Sequence, residues 1–216
     1  MTGTTPQRRP RKERKENADR RRRQLLDATY RSIAANGLQR TTFDTVADEA
    51  GLSRSIAGFY FKSKTGLLAE TLRDLNKTYE RHWKAALEAA GEDPIVQLVA
   101  LIRADFDPLV FNSDFICSWY ALWGERHFLV LTDDEDSGPI HLDRTQAGKD
   151  ILTGLLSDEP DRAAEISLVL EAVIDGFYNE AQLNPKDTNP EELLAVTLRC
   201  VARYLPEHRE AILSHV

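Results

Sequence analysis

The residues with the clearest chemical potential lie in a short basic and aromatic stretch, AGLSRSIAGFYFKSKTGLL, at residues 50–68. Arg54 and Ser55 directly follow its Gly-Leu-Ser turn. An arginine can donate two hydrogen bonds to the edge of a guanine, and a serine can donate or accept one. Lys62 and Lys64 add positive charge that suits phosphate groups beside the groove. The stretch therefore predicts contact with double-stranded DNA.

Two short helices would position these side chains. Thr41 and Asp44 have the spacing of a capping box at the start of the first helix, and Gly51 predicts its end. Ser53 predicts the N-cap of the second helix, which ends near Tyr60. This is the layout of a helix-turn-helix, in which the first helix braces the second and the second enters the major groove. Packed helical hairpins share this layout, so a further observation is needed to separate the two.

Charge provides that observation. Residues 1–23 include ten arginines or lysines and three acidic residues, whereas the whole chain has a net charge of −7. A basic end on an acidic body favours contact between that end and a polyanion. For residues 1–16 alone, a solvated and disordered arm is the alternative. The predicted DNA contacts are Arg22, Arg23, Thr41, Thr42, Ser53, Arg54, Ser55, Ile56, Phe59, Tyr60, Lys62 and Lys64.

The rest of the pattern is also helical, because apolar residues recur every three or four positions and no segment shows sustained alternation. Helix 1 is predicted from about Asn17 to Asn36 with Gly37 as its cap, and a long helix from Ser63 to Gly91 follows the motif. We therefore predict an all-α fold, with an N-terminal three-helix helix-turn-helix domain and a C-terminal helical ligand-binding and dimerisation domain. The predicted ranges are 1–16 for the arm, 17–66 for the DNA-binding domain and 67–216 for the C-terminal domain.

Aromatic side chains in the second half indicate a ligand site. Three of them stand at i, i+4 and i+8 and form one stripe on a helix: Phe115, Trp119 and Trp123. Glu125 and Asp105 are close in sequence, and Tyr178 on a later helix could complete a pocket. Aromatic faces with a carboxylate bind quaternary ammonium ions through cation–π attraction. Simple core packing of the stripe is the alternative.

The last two predicted helices are apolar over more than one face, which is wider than a surface helix needs. The second face predicts a homodimer interface, and the candidate interface residues are Val173, Phe177, Leu194, Leu198, Val201 and Leu205. A wholly intramolecular core is the alternative.

Several classes of function have no support in the sequence. No run of about 18 apolar residues predicts a membrane span, and no apolar stretch follows the N-terminal charges as in a secretory signal. The histidines and cysteines match no metal-ligand spacing, and no nucleophile elbow or glycine-rich phosphate loop occurs. We therefore expect no enzyme activity, no cofactor, no metal and no membrane partner. Cys117 and Cys200 are interpreted as buried thiols in a reducing cytoplasm, and residues 132–138 as a solvated acidic loop without the calcium pattern.

Several segments are similar to a known family. RRRQLLDATYRSIAANG and TTFDTVADEAGLSRSIAGFYFKSKTGLL resemble the DNA-binding domain of TetR-type transcriptional repressors over residues 20–75. DFDPLVFNSDFICSWYALWGE and LEAVIDGFYNEAQLNP, with the late YLPE, resemble the BetI-like subgroup, which contains the choline-responsive repressor of glycine-betaine synthesis. Ser55, Gly58 and Phe59 differ from the glycine, tyrosine and histidine that many members have at these positions.

The resemblance implies a repressor that binds a palindromic operator as a homodimer through a four-helix interface. It also implies that the protein leaves the DNA when a small molecule, such as a quaternary ammonium ion or amphipathic amine, binds the C-terminal domain. Two alternatives remain at the level of the sequence: a dimeric DNA-binding protein without an effector, and a sensor of an unrelated hydrophobic metabolite.

Overall fold

The computed structural model describes residues 11–125 and 140–216, and every regular element in these two ranges is a helix. The helices are α1 (Arg11–Arg40), α2 (Phe43–Ala50), α3 (Arg54–Phe61), α4 (Lys64–Ala90), α5 (Pro94–Asp105), α6 (Ser113–Gly124), α7 (Ile140–Leu155), α8 (Pro160–Leu183), α9 (Pro190–Tyr204) and α10 (Arg209–Leu213). The predicted all-α fold is confirmed. None of the described helices combines the length and apolar character needed to cross a membrane. The acidic segment 132–138 lies outside the described residues.

The chain divides into two compact units, Met1–Thr71 and Leu72–Val216. The sequence-based boundary lies between residues 66 and 67, near the start of α4, whereas the structural division falls within α4. Helix α4 therefore contributes its first two turns to the first unit and its remaining length to the second.

Helix α1 begins earlier than the sequence predicts, at Arg11 rather than about Asn17. Residues 11–16, assigned to a disordered arm, are therefore helical. The side chain of Asn17 does not start the helix, because its Nδ2 donates to the carbonyl oxygen of Glu13 at 2.9 Å, one turn back within it. The helical path breaks at Gly37, where φ is 74° and ψ is 163°. The sequence predicts that Gly37 ends the helix as a left-handed cap; its φ is positive, as glycine allows, but its ψ is extended and helical residues continue to Arg40.

The capping box of α2 lies one residue later than predicted. Thr42, not Thr41, is the N-cap: the Thr45 N–H donates to Thr42 Oγ1 at 3.2 Å, and the Thr42 N–H donates to Thr45 Oγ1 at 2.8 Å. Gly51 ends α2 in the left-handed conformation, as predicted (φ 63°, ψ 32°). Ser53 occupies the N-cap position of α3 but makes no capping bond, because its hydroxyl lies 2.9 Å from that of Ser55.

The core of the first unit holds α1, α2, α3 and the start of α4 together. Its fully or nearly buried side chains are Leu25, Leu26, Ala28, Val46, Ala47, Ala57, Phe61 and Leu67. Burying a leucine or phenylalanine side chain of this kind contributes about 1.5–3 kcal/mol. Helix α3 has only eight residues, so this packing, rather than helix propensity, fixes its position.

The core of the second unit is built by α5 to α10 around side chains such as Leu98, Ile116, Leu152, Ile166 and Leu198. A smaller cluster packs Trp83 of α4 on Leu101 and Ala104 of α5, with Ala147 and Ile151 of α7 at its edge. Asp105 lies on α5 and Arg144 on α7. Because this apolar cluster packs α5 against α7, the two charged residues are brought towards each other beside it.

Candidate functional site

The exposed side of α3 is the candidate surface for base contacts. Ala57 and Phe61 are buried in the core of the first unit, and Ile56 and Tyr60 pack partly against it. Arg54, Ser55 and Phe59 lie on the exposed side, with Phe59 79% exposed. A phenylalanine this exposed contributes little to the fold, so its side chain is free to contact another molecule. Its ring also lies edge-on to Tyr60, with centroids 5.4 Å apart.

Arg54 makes an ion pair with Asp44 of α2, with Nη1 3.1 Å from Oδ2. Both side chains are more than half exposed. An exposed pair of this kind contributes at most about 1 kcal/mol. A guanine edge can therefore replace Asp44 at little cost to the fold.

Lys62 follows α3 and is exposed. Its φ of 54° makes it the one described residue other than glycine with a positive φ. Its N–H donates to the carbonyl oxygen of Gly58 at 3.1 Å, which closes the last turn of α3. The lysine side chain therefore projects from a tight turn at the end of the recognition helix, a position suited to a phosphate contact.

Two predicted DNA contacts are instead used inside the first unit. Thr41 is fully buried, and its hydroxyl donates to the carbonyl oxygen of Gly37 at 3.0 Å, so it does not face solvent. Lys64 Nζ donates to the carbonyl oxygens of Leu38 and Gln39, each at 3.0 Å. These bonds satisfy carbonyl groups near the C-terminus of α1. Thr41 is thus a buried packing residue, whereas the DNA contact of Lys64, whose Nζ caps α1 in this structure, remains a prediction.

The two upstream arginines are also paired. Arg22 Nη2 lies 2.5 Å from Glu70 Oε2, and its guanidinium stacks over the Phe61 ring at 5.6 Å. Arg23 Nε donates to Asp27 Oδ1 at 2.8 Å. Both arginines retain partial exposure, but their observed partners hold them against the helical framework. Their predicted role in DNA contact remains a prediction.

In the second unit the aromatic stripe of α6 is continuous. The ring centroids of Phe115 and Trp119 are 6.2 Å apart in a nearly parallel stack, and those of Trp119 and Trp123 are 5.4 Å apart. Phe115 is buried, whereas both tryptophans are partly exposed. Tyr79 of α4 adds a fourth ring, 5.5 Å from Trp119.

A buried charged cluster is joined to the middle of this stripe through Tyr79. Arg144 and Asp105 are 2% and 1% exposed and form an ion pair between Nη2 and Oδ2. Arg144 also pairs through Nη1 with Glu171, which is partly exposed. Tyr79 donates its hydroxyl to Asp105 Oδ1 at 2.8 Å. The carboxylate beside the aromatic residues is therefore that of Asp105.

Tyr178 and Glu125 have different relationships to this cluster. Tyr178 donates its hydroxyl to the backbone carbonyl of Asp105 at 2.6 Å, and its ring lies edge-on to Phe111. The structure thus brings Tyr178 and the stripe to one cluster through Asp105. Glu125 directly follows α6 and is partly buried, and no described contact joins its carboxylate to the cluster. Arg144 and Glu171 were missed by the sequence reasoning because no short motif connects them to Asp105.

Burial sets the ionisation of the cluster. It raises the pKa of Asp105 above its ordinary value, while the nearby guanidinium of Arg144 opposes the change. Burial alone would lower the pKa of Arg144, but its interactions with Asp105, Tyr79 and Glu171 together outweigh burial and raise that pKa, so the guanidinium stays charged. Burial also raises the pKa of Tyr79 and of Tyr178, which keeps both hydroxyls protonated as hydrogen-bond donors.

The predicted dimer residues fall into two groups. Leu194, Leu198, Val201 and Leu205 are buried in the core of the second unit, so within this chain they do not form a free interface. The reason is that α9 has one inward apolar face, and these residues lie on it. Val173 and Phe177 are only partly buried.

The apolar surface left exposed on α8 and α9 is a different set. Leu168 is 72% exposed, and Val196 and Tyr204 are partly exposed. An apolar groove between the two helices is lined by Ile166, Val169, Leu170, Val173, Thr197, Cys200, Val201 and Tyr204. Cys117 and Cys200, predicted to be buried thiols, are free and partly buried.

The chain is similar to known bacterial transcriptional regulators. The family described as bacterial regulatory proteins, tetR family, matches residues 25–71. The HTH-type transcriptional regulator BetI of Burkholderia thailandensis is 34% identical over 183 residues, covering 81% of this chain and 89% of that protein. BetI of Escherichia coli K12 is 27% identical over 192 residues, covering 86% of this chain and 94% of that protein. A solved structure from Saccharomonospora viridis is described as a transcriptional regulator in complex with choline. It has a TM-score of 0.66 at 22% identity and covers 87% of this chain and 97% of that one.

Proposed function

Because this chain belongs to the TetR family of bacterial transcriptional regulators and is BetI-like, we propose that it is a repressor that leaves its operator when it binds a small organic cation. Its relatives are transcriptional regulators, and the protein is not an enzyme. The observation that carries the proposal is the combination of an exposed recognition helix with a buried carboxylate beside an aromatic stripe. As its target is bacterial DNA, we propose that the regulator works in the cytoplasm.

Operator binding would use the exposed side of α3. Arg54 and Ser55 supply the groups for base edges, and Phe59 supplies an apolar surface for a thymine methyl group. Lys62 and the first turn of α2, capped by Thr42, would contact phosphates. All of these groups lie on α3 or close to its ends, so each copy of the protein would contact one major groove.

A homodimer would place two such helices in successive major grooves, which lie about 34–36 Å apart along B-DNA. The exposed apolar surface of α8 and α9 supports this assembly. Leu168, Val196, Tyr204 and the partly exposed Val173 would lie between the two copies, and the groove would accept side chains from the partner. Four helices, two from each copy, would then bury this surface by packing together.

A quaternary ammonium ion such as choline is the effector class that we propose. The aromatic faces of Tyr79 and Trp119 suit cation–π attraction, and Asp105 supplies the opposite charge. Named BetI relatives and a choline-bound protein of the same fold support the choice. From the predicted set, Trp119, Trp123 and Tyr178 would take this role, whereas Phe115 is buried against Trp119. Asp105 would supply the carboxylate that the sequence predicts from Glu125.

Release from DNA requires only that the effector bind one conformation of the dimer more tightly than another. The effector shifts the population towards the conformation whose recognition helices no longer match successive grooves. A shift from 1% to 99% released protein needs about a 10⁴-fold difference in affinity between the two conformations. The site must therefore change its contacts markedly when the effector binds.

The test uses the full-length protein and an operator selected from random DNA by repeated binding and amplification. Choline, glycine betaine, betaine aldehyde and a set of hydrophobic amines are added to the protein–operator complex, and thermal unfolding is followed in parallel. We expect choline or a close analogue to raise the melting temperature of the free protein and to release the operator. Stabilisation by an uncharged hydrophobic compound alone would favour the sensor of an unrelated metabolite. No response to any compound would favour the DNA-binding protein without an effector.

A further inference from the structure

Arg144 is buried with its hydrogen bonding incomplete. Its Nη1 and Nη2 atoms pair with Glu171 and Asp105, but Nε is buried without a hydrogen-bond partner among the described residues. Buried polar atoms are nearly always paired, because losing water without a replacement costs about 1–3 kcal/mol. An arginine with a purely structural role would be expected to use its planar fork fully.

The charges of the cluster also do not cancel. Two carboxylates, Asp105 and Glu171, surround one guanidinium, so the cluster has an excess of negative charge when both are ionised. A fold with apolar residues of similar volume in place of a buried ion pair is usually as stable, and often more stable. The excess negative charge would allow the cluster to accept a further cation.

Two tyrosines surround Asp105, and the described residues include no group of three or more His, Cys, Asp or Glu side chains that could hold a metal ion. The hydroxyls of Tyr79 and Tyr178 are directed to its carboxylate and its backbone carbonyl. Trp119 lies against Tyr79 at the partly exposed end of this arrangement. A cation at Asp105 would therefore meet one negative charge, the hydroxyl ends of Tyr79 and Tyr178, and the Trp119 ring in contact with Tyr79.

We propose that Arg144 occupies the cation position of the effector site in the ligand-free protein, and that a quaternary ammonium effector takes its place at Asp105. Both Asp105 oxygens already have partners, Oδ1 with Tyr79 and Oδ2 with Arg144. The tyrosine is neutral, so exchange of the guanidinium is the step that frees the charge. This inference rests on the proposed function for the identity of the effector class.

Glu171 makes the exchange possible. When Arg144 leaves Asp105 it keeps its bond to Glu171, which also accepts a hydrogen bond from the Thr145 hydroxyl at 2.9 Å. The arginine is then not left as an unpaired buried charge, which would be strongly destabilising. The effector brings one positive charge, and the pairing becomes one cation for each carboxylate.

The test replaces the internal cation by an added one. In Arg144→Ala the site is vacated, so tetramethylammonium, guanidinium or choline at millimolar concentration should raise the melting temperature more than it does in the wild type. Sodium chloride at the same ionic strength should not. Arg162→Ala is the matched control, because this arginine of the same unit pairs with Glu207 and Glu159 near the surface and should show no such rescue.

The double variant Arg144→Ala with Asp105→Asn separates the site from other causes of stabilisation. It should lose the response to all three cations, whereas a retained response would overturn the proposal. An Arg144→Ala protein that responds no more than the wild type would also overturn it.

Arg144→Lys provides a second test if the alanine variant does not fold. Lysine keeps a positive charge but loses the planar fork, so it should compete less well for Asp105, and the apparent dissociation constant for choline should fall several-fold. An unchanged or higher constant would contradict the exchange. If choline fails to release the wild type from DNA, the proposed effector is wrong, but rescue of Arg144→Ala by tetramethylammonium or guanidinium still decides whether the site exists.

Discussion

Arg54 at the start of α3 forms an ion pair with Asp44 at the start of α2, with Nη1 of the arginine 3.1 Å from Oδ2 of the aspartate. The pair joins the first turn of the bracing helix to the first turn of the recognition helix. It holds the guanidinium near the end of α3 that enters the groove first in a helix-turn-helix. Because the pair is exposed and weak, the arginine can exchange the carboxylate for a base without unfolding the motif.

Replacing Arg54 tests whether this end of α3 contacts bases. Arg54→Ala should weaken operator binding by about 1–3 kcal/mol and relax the preference at one base pair. Competition between the operator and single-base variants measures the preference directly. Lys62→Ala is the control: it should weaken operator and random DNA alike and lower the salt slope by about one. An Arg54→Ala protein with an unaltered base preference would show that another part of the chain contacts the bases.

Lys64 gives a prediction of the opposite kind. Its two charge-assisted bonds to the carbonyl oxygens of Leu38 and Gln39 stabilise the first unit. Lys64→Met should therefore lower the free energy of unfolding by about 1.5–3 kcal/mol, whereas Lys62→Met should change it by less than about 0.5 kcal/mol. Denaturant unfolding of both variants measures the difference. Weaker DNA binding by Lys64→Met at unchanged stability would return Lys64 to the phosphate-contact role that the sequence predicts.

The sequence predicts the helices well and the caps less well, for a local reason. Thr41 and Thr42 are adjacent, and either can cap a helix whose pattern begins at Phe43. Their roles depend on the break in α1 at Gly37, after which Thr41 is buried and Thr42 caps α2. Such a shift of one residue has no signature in spacing, but it changes which hydroxyl faces solvent.

The candidate effector site shows a larger gap between sequence and structure. The stripe from Phe115 to Trp123 follows from helical spacing alone and is confirmed as a set of neighbouring rings. Asp105, Arg144 and Glu171 come from three different helices, and their partners depend on how those helices pack. The same limit explains the buried dimer candidates. An apolar helix that packs on its own core and one that packs on a second copy have the same sequence pattern.

Leu168 and Leu198 separate these two possibilities by experiment. Leu168→Arg changes an exposed side chain of α8, so it should dissociate the proposed dimer and weaken operator binding while the free energy of unfolding of the protomer stays nearly constant. Leu198→Ala removes a fully buried side chain and should cost about 2–5 kcal/mol of stability. Sedimentation and denaturant unfolding report the two effects. A Leu168→Arg protein that sediments as an unaltered dimer would place the interface elsewhere.

The raised pKa of Asp105 predicts a dependence of stability on pH. In the unfolded chain this carboxyl ionises near its ordinary value of 3.8, but burial raises its pKa in the folded protein. The folded state therefore binds the extra proton between the two pKa values. The stabilising contribution of protonated Asp105 is fully present below the pKa of the unfolded chain and is lost as the pH rises through the pKa of the folded protein.

Asp105→Asn removes this proton equilibrium and is the reference for its measurement. As the pH rises from about 4 towards 7, the free energy of unfolding of the wild type should fall relative to that of the variant. Denaturant unfolding at several pH values gives the difference. If the free energy of unfolding of the wild type instead rises relative to that of Asp105→Asn, attraction to Arg144 outweighs the cost of burying the carboxylate.

Trp119 and Phe115 test whether the stripe lines a ligand site or only fills the core. Trp119 is partly exposed beside Tyr79, so Trp119→Ala should remove a cation–π contribution of about 0.5–2 kcal/mol and raise the choline concentration needed for operator release several-fold. Phe115 is buried, and Phe115→Ala should instead cost about 3–5 kcal/mol of stability. Denaturant unfolding and choline titration of both variants give the four values required. A Trp119→Ala protein that is as unstable as Phe115→Ala, and that loses operator binding and choline response together, would show that the tryptophan belongs to the core.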